Sequence, residues 1–595
     1  MCYYEKNKKD RVKKCADNLF FEQNGTFAVA RPCGLCSGAE KWMPAQAPPH
    51  FFAARPSAGE ICFSADPNSR FFVGGMLMLQ IKQLTVAHRK DGRVMLKDFS
   101  FALNPGDRAV IIGEEGDGKS TLLKLIYDET LVADYAEFSG EIVKSGLRLG
   151  YLAQELSADR KKLSVLEFCS ELPSFYGLTP AELSGIAFQL GLPAELFYSD
   201  QAVGSLSGGE RVKLQLAGLL MERPDVLLLD EPSGDLDLET LEWLENFLNT
   251  CGLPMLYVSH DETLIERTAN VVIHLEQVRR KTVPRHTVAR MPYRRYVEER
   301  LSGFAHEARE ARREQREYEQ QQEKFRRIQS RVEYEQANIS RGDPHGGQLL
   351  KKKMKAVKSL ERRFDREHAE RTQLPDTEDA ILVRFGEDVT VPNGKTVLDF
   401  QLGELKIKDR VLARNISLHV TGPEKLCIIG KNGAGKTTLL RKIAAELLGR
   451  RDIRAAYLPQ DYEDLLSGER TPVEFLSVSG GREEKTKIRT FLGSMRYTAD
   501  EMEHRACELS GGQKAKLLFL KMVLDGSNVL ILDEPTRNFS PLSNPVIRDV
   551  LKSFGGAVVS VSHDRKFISE VCTRVVRLTE AGLSPVSAPP EESRA

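Results

Sequence analysis

The sequence lacks a long apolar run, a net charge and a signal peptide, and each absence narrows its class. No window reaches about 18 consecutive apolar residues, so the sequence predicts no membrane-spanning helix. The 85 basic and 85 acidic residues cancel, so a nucleic-acid partner would have to meet a local basic patch. The N-terminus lacks the basic, apolar and small-residue order of a signal peptide, which makes the cytoplasm the expected compartment.

Cysteine is sparse and does not form the framework of a secreted domain. The chain has ten cysteines, and those after residue 75 are scattered as reduced thiols are. Cys33 and Cys36 form a CxxC pair, but no second pair lies at the spacing of a four-ligand zinc site. Residues 1–75 show neither a helical nor a strand period. We predict that they are disordered or precede the true start of the protein, near Met76 and Met78.

One pattern occurs twice in a chain of 595 residues, which is too long for a single hydrophobic core. Residues 77–277 read as strand, glycine-rich loop, helix, mixed segment, helix, apolar strand and helix, and residues 380–580 repeat this order. Two intervals, of 24 and 30 residues, recur: Leu206 to Asp230 to His260, and Leu509 to Asp533 to His563. Duplication of a whole α/β domain explains this regularity.

Each repeat has a G-x-x-x-x-G-K-[ST] loop after an apolar strand. Glycines let backbone N–H groups point at a phosphate, the lysine reaches the outer phosphates, and the next hydroxyl ligates Mg²⁺. The hydroxyls of Ser120 and Thr437 are therefore predicted Mg²⁺ ligands. The predicted phosphate-binding residues of the two loops are Gly113, Gly116, Gly118, Lys119, Ser120 and Thr121, and Gly430, Gly433, Gly435, Lys436, Thr437 and Thr438.

An Asp-Glu pair ends a second apolar strand in each repeat, in VLLLDEP and VLILDEP. Asp230 and Asp533 are placed to hold Mg²⁺. Glu231 and Glu534 follow them and can orient or deprotonate the attacking water, which is nearly all that phosphoryl transfer asks of a protein besides charge stabilisation. The sequence therefore predicts transfer of a phosphoryl group to water, with these two glutamates as catalytic residues.

Further motifs resemble the ATP-binding cassette ATPases. LSGGE and LSGGQ are similar to the signature that binds the γ-phosphate held by the opposite cassette; their binding residues are Ser207, Gly208 and Gly209, and Ser510, Gly511 and Gly512. Gln154 and Gln460 match the Q-loop glutamine, which the resemblance implies binds both nucleotide and Mg²⁺. His260 and His563 match the switch histidine, so the resemblance gives them a catalytic role as sensors of the γ-phosphate.

Two cassettes joined by a charged helical hairpin resemble the ABC-F family of translation-associated ATPases over roughly residues 77–580. The resemblance implies an α/β fold with two P-loop cassettes that close on two ATP within one monomer. It also implies binding to ribosomal RNA and tRNA, and similarity to the antibiotic-resistance branch. Two alternatives remain open: an ATPase subunit of a transporter whose membrane domain is a separate chain, and a DNA-structure-binding relative.

The predicted linker, residues 278–379, contains a helical hairpin. Apolar and glutamine residues recur in heptads from Phe304 to Val332, which predicts a helix from about Val297 to Ala337. We expect the run from Gly342 to Gly347 to interrupt the helix before apolar positions resume at Leu350. A basic tip at 341–358 is the predicted RNA contact, with six basic residues against one acid: Arg341, Lys351, Lys352, Lys353, Lys355 and Lys358.

Two departures from the family pattern predict unequal sites. Glu114, Glu115 and Asp117 bring negative charge into the first phosphate loop, which opposes triphosphate binding unless these groups point away or meet a cation. Ser540 stands where the family has a D-loop aspartate, matched by Asp237 in the first repeat. The last residues, 581–595, are expected to form a flexible tail.

Overall fold

The computed structural model describes residues 79–586, apart from 145, 235, 279–282, 339–343, 368–384, 387–388, 409, 467 and 496. These residues belong to one compact unit. The N-terminal extension with its CxxC pair, and Arg341 of the predicted tip, lie outside the described residues. Within them, no helix has both the length and the apolar character needed to cross a bilayer.

The first cassette is built on a parallel sheet with one antiparallel edge strand. Its described strands are β1 (Leu79–His88), β2 (Val94–Leu103), β3 (Arg108–Ile112), β4 (Ala136–Val143), β5 (Leu149–Leu152), β6 (Val226–Asp230), β7 (Met255–Val258), β8 (Val271–Gln277) and β9 (Val283–Ala289). The large sheet has the order β5-β6-β7-β3-β8-β9, and β2-β1-β4 form a separate antiparallel sheet. Strands β3, β6 and β7 are continuous apolar runs because helices or sheet cover both their faces.

The first cassette also contains seven described helices. They are α1 (Lys119–Tyr127), α2 (Ala158–Lys162), α3 (Val165–Ser170), α4 (Pro180–Leu190), α5 (Gly208–Met221), α6 (Leu238–Thr250) and α7 (Glu262–Thr268). Two of them, α1 and α5, begin at candidate site residues. The hairpin follows as α8 (Tyr293–Ala337) and α9 (Pro344–Glu367).

The second cassette repeats the strand order of the first. Its described strands are β10 (Thr396–Ile407), β11 (Arg410–Thr421), β12 (Lys425–Ile429), β13 (Ala455–Leu458), β14 (Val529–Asp533), β15 (Ala557–Val561), β16 (Arg574–Thr579) and β17 (Gly582–Val586). The sheet order β13-β14-β15-β12-β16-β17 matches that of the first cassette strand for strand. Its helices are α10 (Lys436–Leu448), α11 (Glu463–Leu466), α12 (Pro472–Leu476), α13 (Arg482–Ser494), α14 (Ala499–Glu503), α15 (Gly511–Leu524), α16 (Asn544–Ser553) and α17 (Arg565–Glu570). The predicted fold class, two P-loop cassettes joined by a long helical hairpin, is confirmed.

The hairpin helices pack along the predicted heptad seam. The rings of Tyr318 and Phe325 lie 5.3 and 5.5 Å from the ring of Phe364, and Ala311 and Val332 are buried. The 45 residues of α8 form a rod of about 68 Å at 1.5 Å per residue.

The base of this rod is fixed to β8 of the first cassette. The Tyr296 hydroxyl lies 2.8 Å from Nδ1 of the fully buried His274, and Arg300 donates a hydrogen bond to Glu276. Tyr293, at the start of the helix, is also buried. The rod therefore begins as part of the first cassette's core.

Three sequence expectations need correction. Residues 283–289, placed in the linker, form β9 and pair with β8, because an edge position tolerates Pro284 and polar side chains. Residues 582–586, placed in the flexible tail, form β17 and pair with β16, so the second sheet extends into the range assigned to the tail. The glycine-rich run is partly helical: α9 begins at Pro344, whose fixed φ suits the first helical position.

Candidate functional site

The two phosphate loops share one backbone shape. Gly118 and Gly435 cap the following helices with φ of 87° and 95°, in the left-handed region that favours glycine. Gly113 and Gly430 pass so close to the neighbouring strand that an added Cβ would lie 2.4 Å from Leu275 O and 2.8 Å from Leu578 O. Each loop is thus pressed against the strand that follows it in the sheet.

The loop lysines point into their own loops. Lys119 Nζ donates to the carbonyls of Gly113 and Glu114 at 3.0 and 2.8 Å, and Lys436 Nζ donates to those of Gly430 and Lys431 at 2.8 and 3.0 Å. Both lysines are buried, so their charge is directed to the loop interior. Thr121 and Thr438 lie in the first turns of α1 and α10.

Each loop hydroxyl meets the predicted Mg²⁺-binding aspartate. Ser120 Oγ donates to Asp230 Oδ1 at 2.9 Å, and Thr437 Oγ1 to Asp533 Oδ1 at 3.4 Å. Burial raises the pKa of both carboxyls. Asp533 Oδ2 is buried with no hydrogen-bond partner among the described residues.

These donor sets fit Mg²⁺. The cation prefers hard oxygen ligands and is commonly held by one or two protein groups together with phosphates. Among the described residues no group of three or more His, Cys, Asp or Glu could hold a metal ion. A hydroxyl and a carboxylate beside each phosphate loop therefore suit a cation that arrives with the nucleotide.

Both predicted catalytic glutamates have a strained backbone. Glu231 and Glu534 adopt φ of 51° and 50°, in the left-handed region that costs a non-glycine residue roughly 1–3 kcal/mol. Such outliers persist where surrounding structure holds them, commonly at active sites. No pattern in the sequence indicated this strain.

The glutamates differ in their surroundings. Burial acts to raise the pKa of Glu231, but the hydrogen bond and charge of His260, with Nε2 at 3.2 Å from the carboxylate, lower it overall. Burial raises the pKa of Glu534 to about 8. Burial and the neighbouring Lys436 lower the pKa of His563 to about 4, and its Nε2 lies 3.7 Å from Glu534. The pKa of the glutamate is therefore lowered in the first cassette and raised in the second.

The Q-loop glutamines lie beside the glutamates. Gln154 Nε2 donates to Glu231 Oε2 at 3.3 Å, so this side chain contacts the predicted base and not the Ser120–Asp230 pair. A cavity of about 600 Å³ brings Gln460, Glu534 and His563 together with Lys436 and Thr437. The cavity also reaches Gly208 of the first cassette's signature and, further along, Glu231 and His260.

The signature serines cap their helices. Ser207 accepts a hydrogen bond from Glu210 N–H and Ser510 accepts one from Gln513 N–H, each within a capping box. Gly208 and Gly209 begin α5, and Gly511 and Gly512 begin α15. Helix N-termini with such glycines present backbone N–H groups to an anion.

Each composite site pairs the phosphate loop of one cassette with the signature of the other, and the contacts between the cassettes differ at the two sites. Asp237 Oδ2 accepts a hydrogen bond from the second loop's Asn432 N–H at 3.4 Å. Its counterpart Ser540 is buried and donates to Ser543 Oγ, while His260 Nδ1 donates to the carbonyl of Phe539 at 3.0 Å.

Two contacts of the first loop were missed by sequence reasoning. Glu115 Oε2 accepts a hydrogen bond from Gly512 N–H at 2.7 Å, and Glu114 Oε1 accepts one from Lys516 Nζ at 3.1 Å. The sequence showed the charges, but nothing in it named their partners in the other cassette. Both acids meet donors, so the predicted cost of crowding negative charge at this loop is offset in the structure.

Comparisons with known proteins agree with this geometry. The ABC transporter family profile matches residues 96–234 and 413–537. The putative ATP-binding protein YdiF of Bacillus subtilis is 29% identical, covering 85% of this chain and 80% of its own length. The ribosome protection protein VmlR of Bacillus subtilis is 28% identical over 85% and 88%, and ABC transporter F family member 5 of Arabidopsis thaliana is 25% identical over 83% and 74%.

Solved structures show the same fold. The RNase-L inhibitor superposes with a TM-score of 0.50 at 16% identity, covering 84% of this chain and 90% of its own. An archaeal ribosome recycling factor in complex with a ribosomal stalk protein gives a TM-score of 0.51 at 16% identity, over 85% and 90%.

Proposed function

Since the chain belongs to the ABC-F proteins, with two ATP-binding cassettes joined by a helical hairpin, we propose that it binds the ribosome with ATP and leaves after hydrolysis. On the ribosome its hairpin would contact ribosomal RNA and tRNA, modulate translation and protect the peptidyl-transferase region from antibiotics. We place this activity in the cytoplasm, within a monomer whose two cassettes pair.

Different site residues would bind the phosphates, bind Mg²⁺ and activate the attacking water. Lys119 and Lys436 hold the outer phosphates, and the Ser120–Asp230 and Thr437–Asp533 pairs would hold Mg²⁺, which supplies positive charge at those phosphates. Glu534 orients the attacking water, and after its own proton has left to solvent its carboxylate would accept a proton from that water.

The helices at the signatures complete each site. Ser207, Gly208 and Gly209 would face a nucleotide on the second loop, with their N–H groups directed at its terminal phosphate. Gln460 and His563 line the same cavity as Glu534. This supports a role for both beside the attacking water and the terminal phosphate.

The exposed lysines near the hairpin tip carry the ribosome proposal. Lys351, Lys352, Lys353, Lys355 and Lys358 are all exposed. The ion pair that the described residues show for these lysines joins Lys353 to Glu335 at 3.7 Å. A basic end on a rigid rod suits a partner rich in phosphate. A relative named as a ribosome protection protein matches 85% of this chain. This similarity supports the ribosome as the partner.

The test is ribosome pelleting by the Glu231→Gln, Glu534→Gln protein, which should keep ATP uncleaved. We expect it to sediment with ribosomes in ATP and to stay in the supernatant in ADP. A matched variant with Lys351, Lys352, Lys353 and Lys355 changed to Ala should bind at least roughly tenfold more weakly, because phosphate contacts are lost. Failure to pellet in ATP would refute the proposal, as would recovery of the protein with a membrane partner or on branched DNA.

A further inference from the structure

The first phosphate loop makes hydrogen bonds with the other cassette through two of its own carboxylates. Besides its bond to Gly512 N–H, Glu115 Oε2 would lie 3.1 Å from a Cβ added to Gly511, so the carboxylate rests on both signature glycines. One turn further along α15, Lys516 pairs with Glu114 at 3.1 Å, with side chains only 10% and 21% exposed. The first loop and the N-terminus of α15 are thus in direct contact.

The second loop has no such carboxylates. Lys431 and Asn432 occupy the positions of Glu114 and Glu115. Lys431 pairs with Glu239 at 3.3 Å, but both side chains are mostly exposed, and such pairs contribute little. Between this loop and the first cassette lies the cavity of about 600 Å³, and its described lining includes none of residues 113–120.

Glu115 places a negative charge at the N-terminus of α15, where an anionic ligand would also bind. The N-terminus of a helix attracts an anion through its free N–H groups and its dipole. A nucleotide on the first loop would direct its terminal phosphate at the same α15 N-terminus that Glu115 reaches from that loop. One N–H cannot serve both anions, and like charges that close repel strongly.

We infer that Glu115 stands in for a terminal phosphate in the first composite site, which therefore closes around a nucleoside diphosphate and needs no triphosphate. The Glu114–Lys516 pair holds this closed contact. ATP-dependent closure and turnover then belong to the second site, formed by Lys436 and Glu534 opposite the signature of the first cassette. This inference rests on the proposed function but concerns the isolated protein.

Ion pairs between side chains also join the two cassettes away from the phosphate loops. Arg548, only 3% exposed, donates to Glu262 at 2.8 Å, and Lys566 donates to the same carboxylate at 2.9 Å. Arg565 donates to Glu245 at 2.8 Å. These pairs join α7 and α6 of the first cassette to α16 and α17 of the second, so charged groups of both cassettes meet on this side of the interface.

The first test measures nucleotide preference at the first site alone. In a Lys436→Ala protein, whose second loop is disabled, calorimetric titration should show ADP binding at least as tightly as ATP. Adding Glu115→Ala should shift the ATP-to-ADP affinity ratio toward ATP by roughly tenfold or more. An unchanged ratio, or no binding of either nucleotide, would overturn the inference.

The second test needs no nucleotide and no loop-disabled protein. Hydrogen exchange of the peptide spanning residues 509–513 should be slow in the nucleotide-free protein and faster by roughly tenfold in Glu115→Ala. The matched variant Asn432→Ala, at the equivalent position of the second loop, should leave that peptide unchanged. Equal exchange in all three proteins would overturn the inference. Ribosome pelleting enters neither test, so failure of the proposed function is seen separately.

Discussion

In the first phosphate loop residues 114 and 115 are glutamates that bond to the opposite cassette, and in the second they are Lys431 and Asn432 beside a cavity. The glycines, lysines and hydroxyls of the two loops are otherwise equivalent in shape and contact. Duplication has therefore kept the backbone that cradles a phosphate and changed the side chains that meet the partner. The two variable residues of each phosphate loop therefore determine which groups of the opposite cassette that loop contacts.

The largest expected difference between the sites is in turnover. Glu534→Gln should lower steady-state phosphate release by about 10²-fold or more, because a positioned base contributes that much. Glu231→Gln should lower it less than about threefold, since its site closes on Glu115 and does not turn over. Phosphate release by the two single variants at saturating ATP and Mg²⁺ measures this. Equal rates would remove the distinction between the sites.

A smaller difference is expected between buried and exposed contacts of the cassette interface. Arg548→Ala should destabilise the protein by about 3 kcal/mol, because it leaves Glu262 buried with one cation fewer. Lys431→Ala, which removes a mostly exposed pair, should change stability by less than about 1 kcal/mol. Chemical unfolding followed by fluorescence compares them, and similar losses would show that burial does not separate these contacts.

The smallest effect is a pH dependence that should belong to one glutamate. The folded protein keeps a proton on Glu534 up to about pH 8, whereas the unfolded chain releases it near 4.5. Its stabilising contribution is therefore full below about pH 4.5 and is lost as pH rises through 8. Between pH 7 and 9 the nucleotide-free protein should lose about 1 kcal/mol, or roughly 2 °C in Tm.

Two variants assign that loss. Glu534→Gln should lose less Tm between pH 7 and 9 than the parent protein. Part of the loss should remain, because burial also raises the pKa of thiols such as Cys169. Glu231→Gln should keep the parent's Tm profile, because the lowered pKa of Glu231 makes its contribution constant over that range. A profile that is flat in the parent protein, or unchanged in Glu534→Gln, would contradict this assignment.

Motifs formed by residues close in the chain could be predicted from the sequence. Contacts between residues far apart in the chain could not. The loop around Lys119 and the strand ending at Asp230 are local patterns, and the structure brings them together through Ser120. Glu115 and Gly512 are 397 residues apart, so no local pattern could pair them. The left-handed backbone of Glu534 is imposed by its surroundings, and propensity would have opposed it.

The predicted domain boundaries were wrong because they too depend on pairing with other strands. Strand β9 and strand β17 are weakly apolar edge strands, and only their pairing with β8 and β16 makes them strands. Pro344 was read with the glycines after it as a break, although proline at a helix start is favourable.

Strand β8 carries two attachments within three consecutive residues. The carbonyl of Leu275 lies against Gly113 of the first phosphate loop, while His274 and Glu276 hold Tyr296 and Arg300 at the base of the hairpin. A small rotation of this strand would therefore produce a large displacement at the far end of the rod. A turn of about 5° at β8 would move the far end of α8 by roughly 6 Å, given a rise of 1.5 Å for each of its residues.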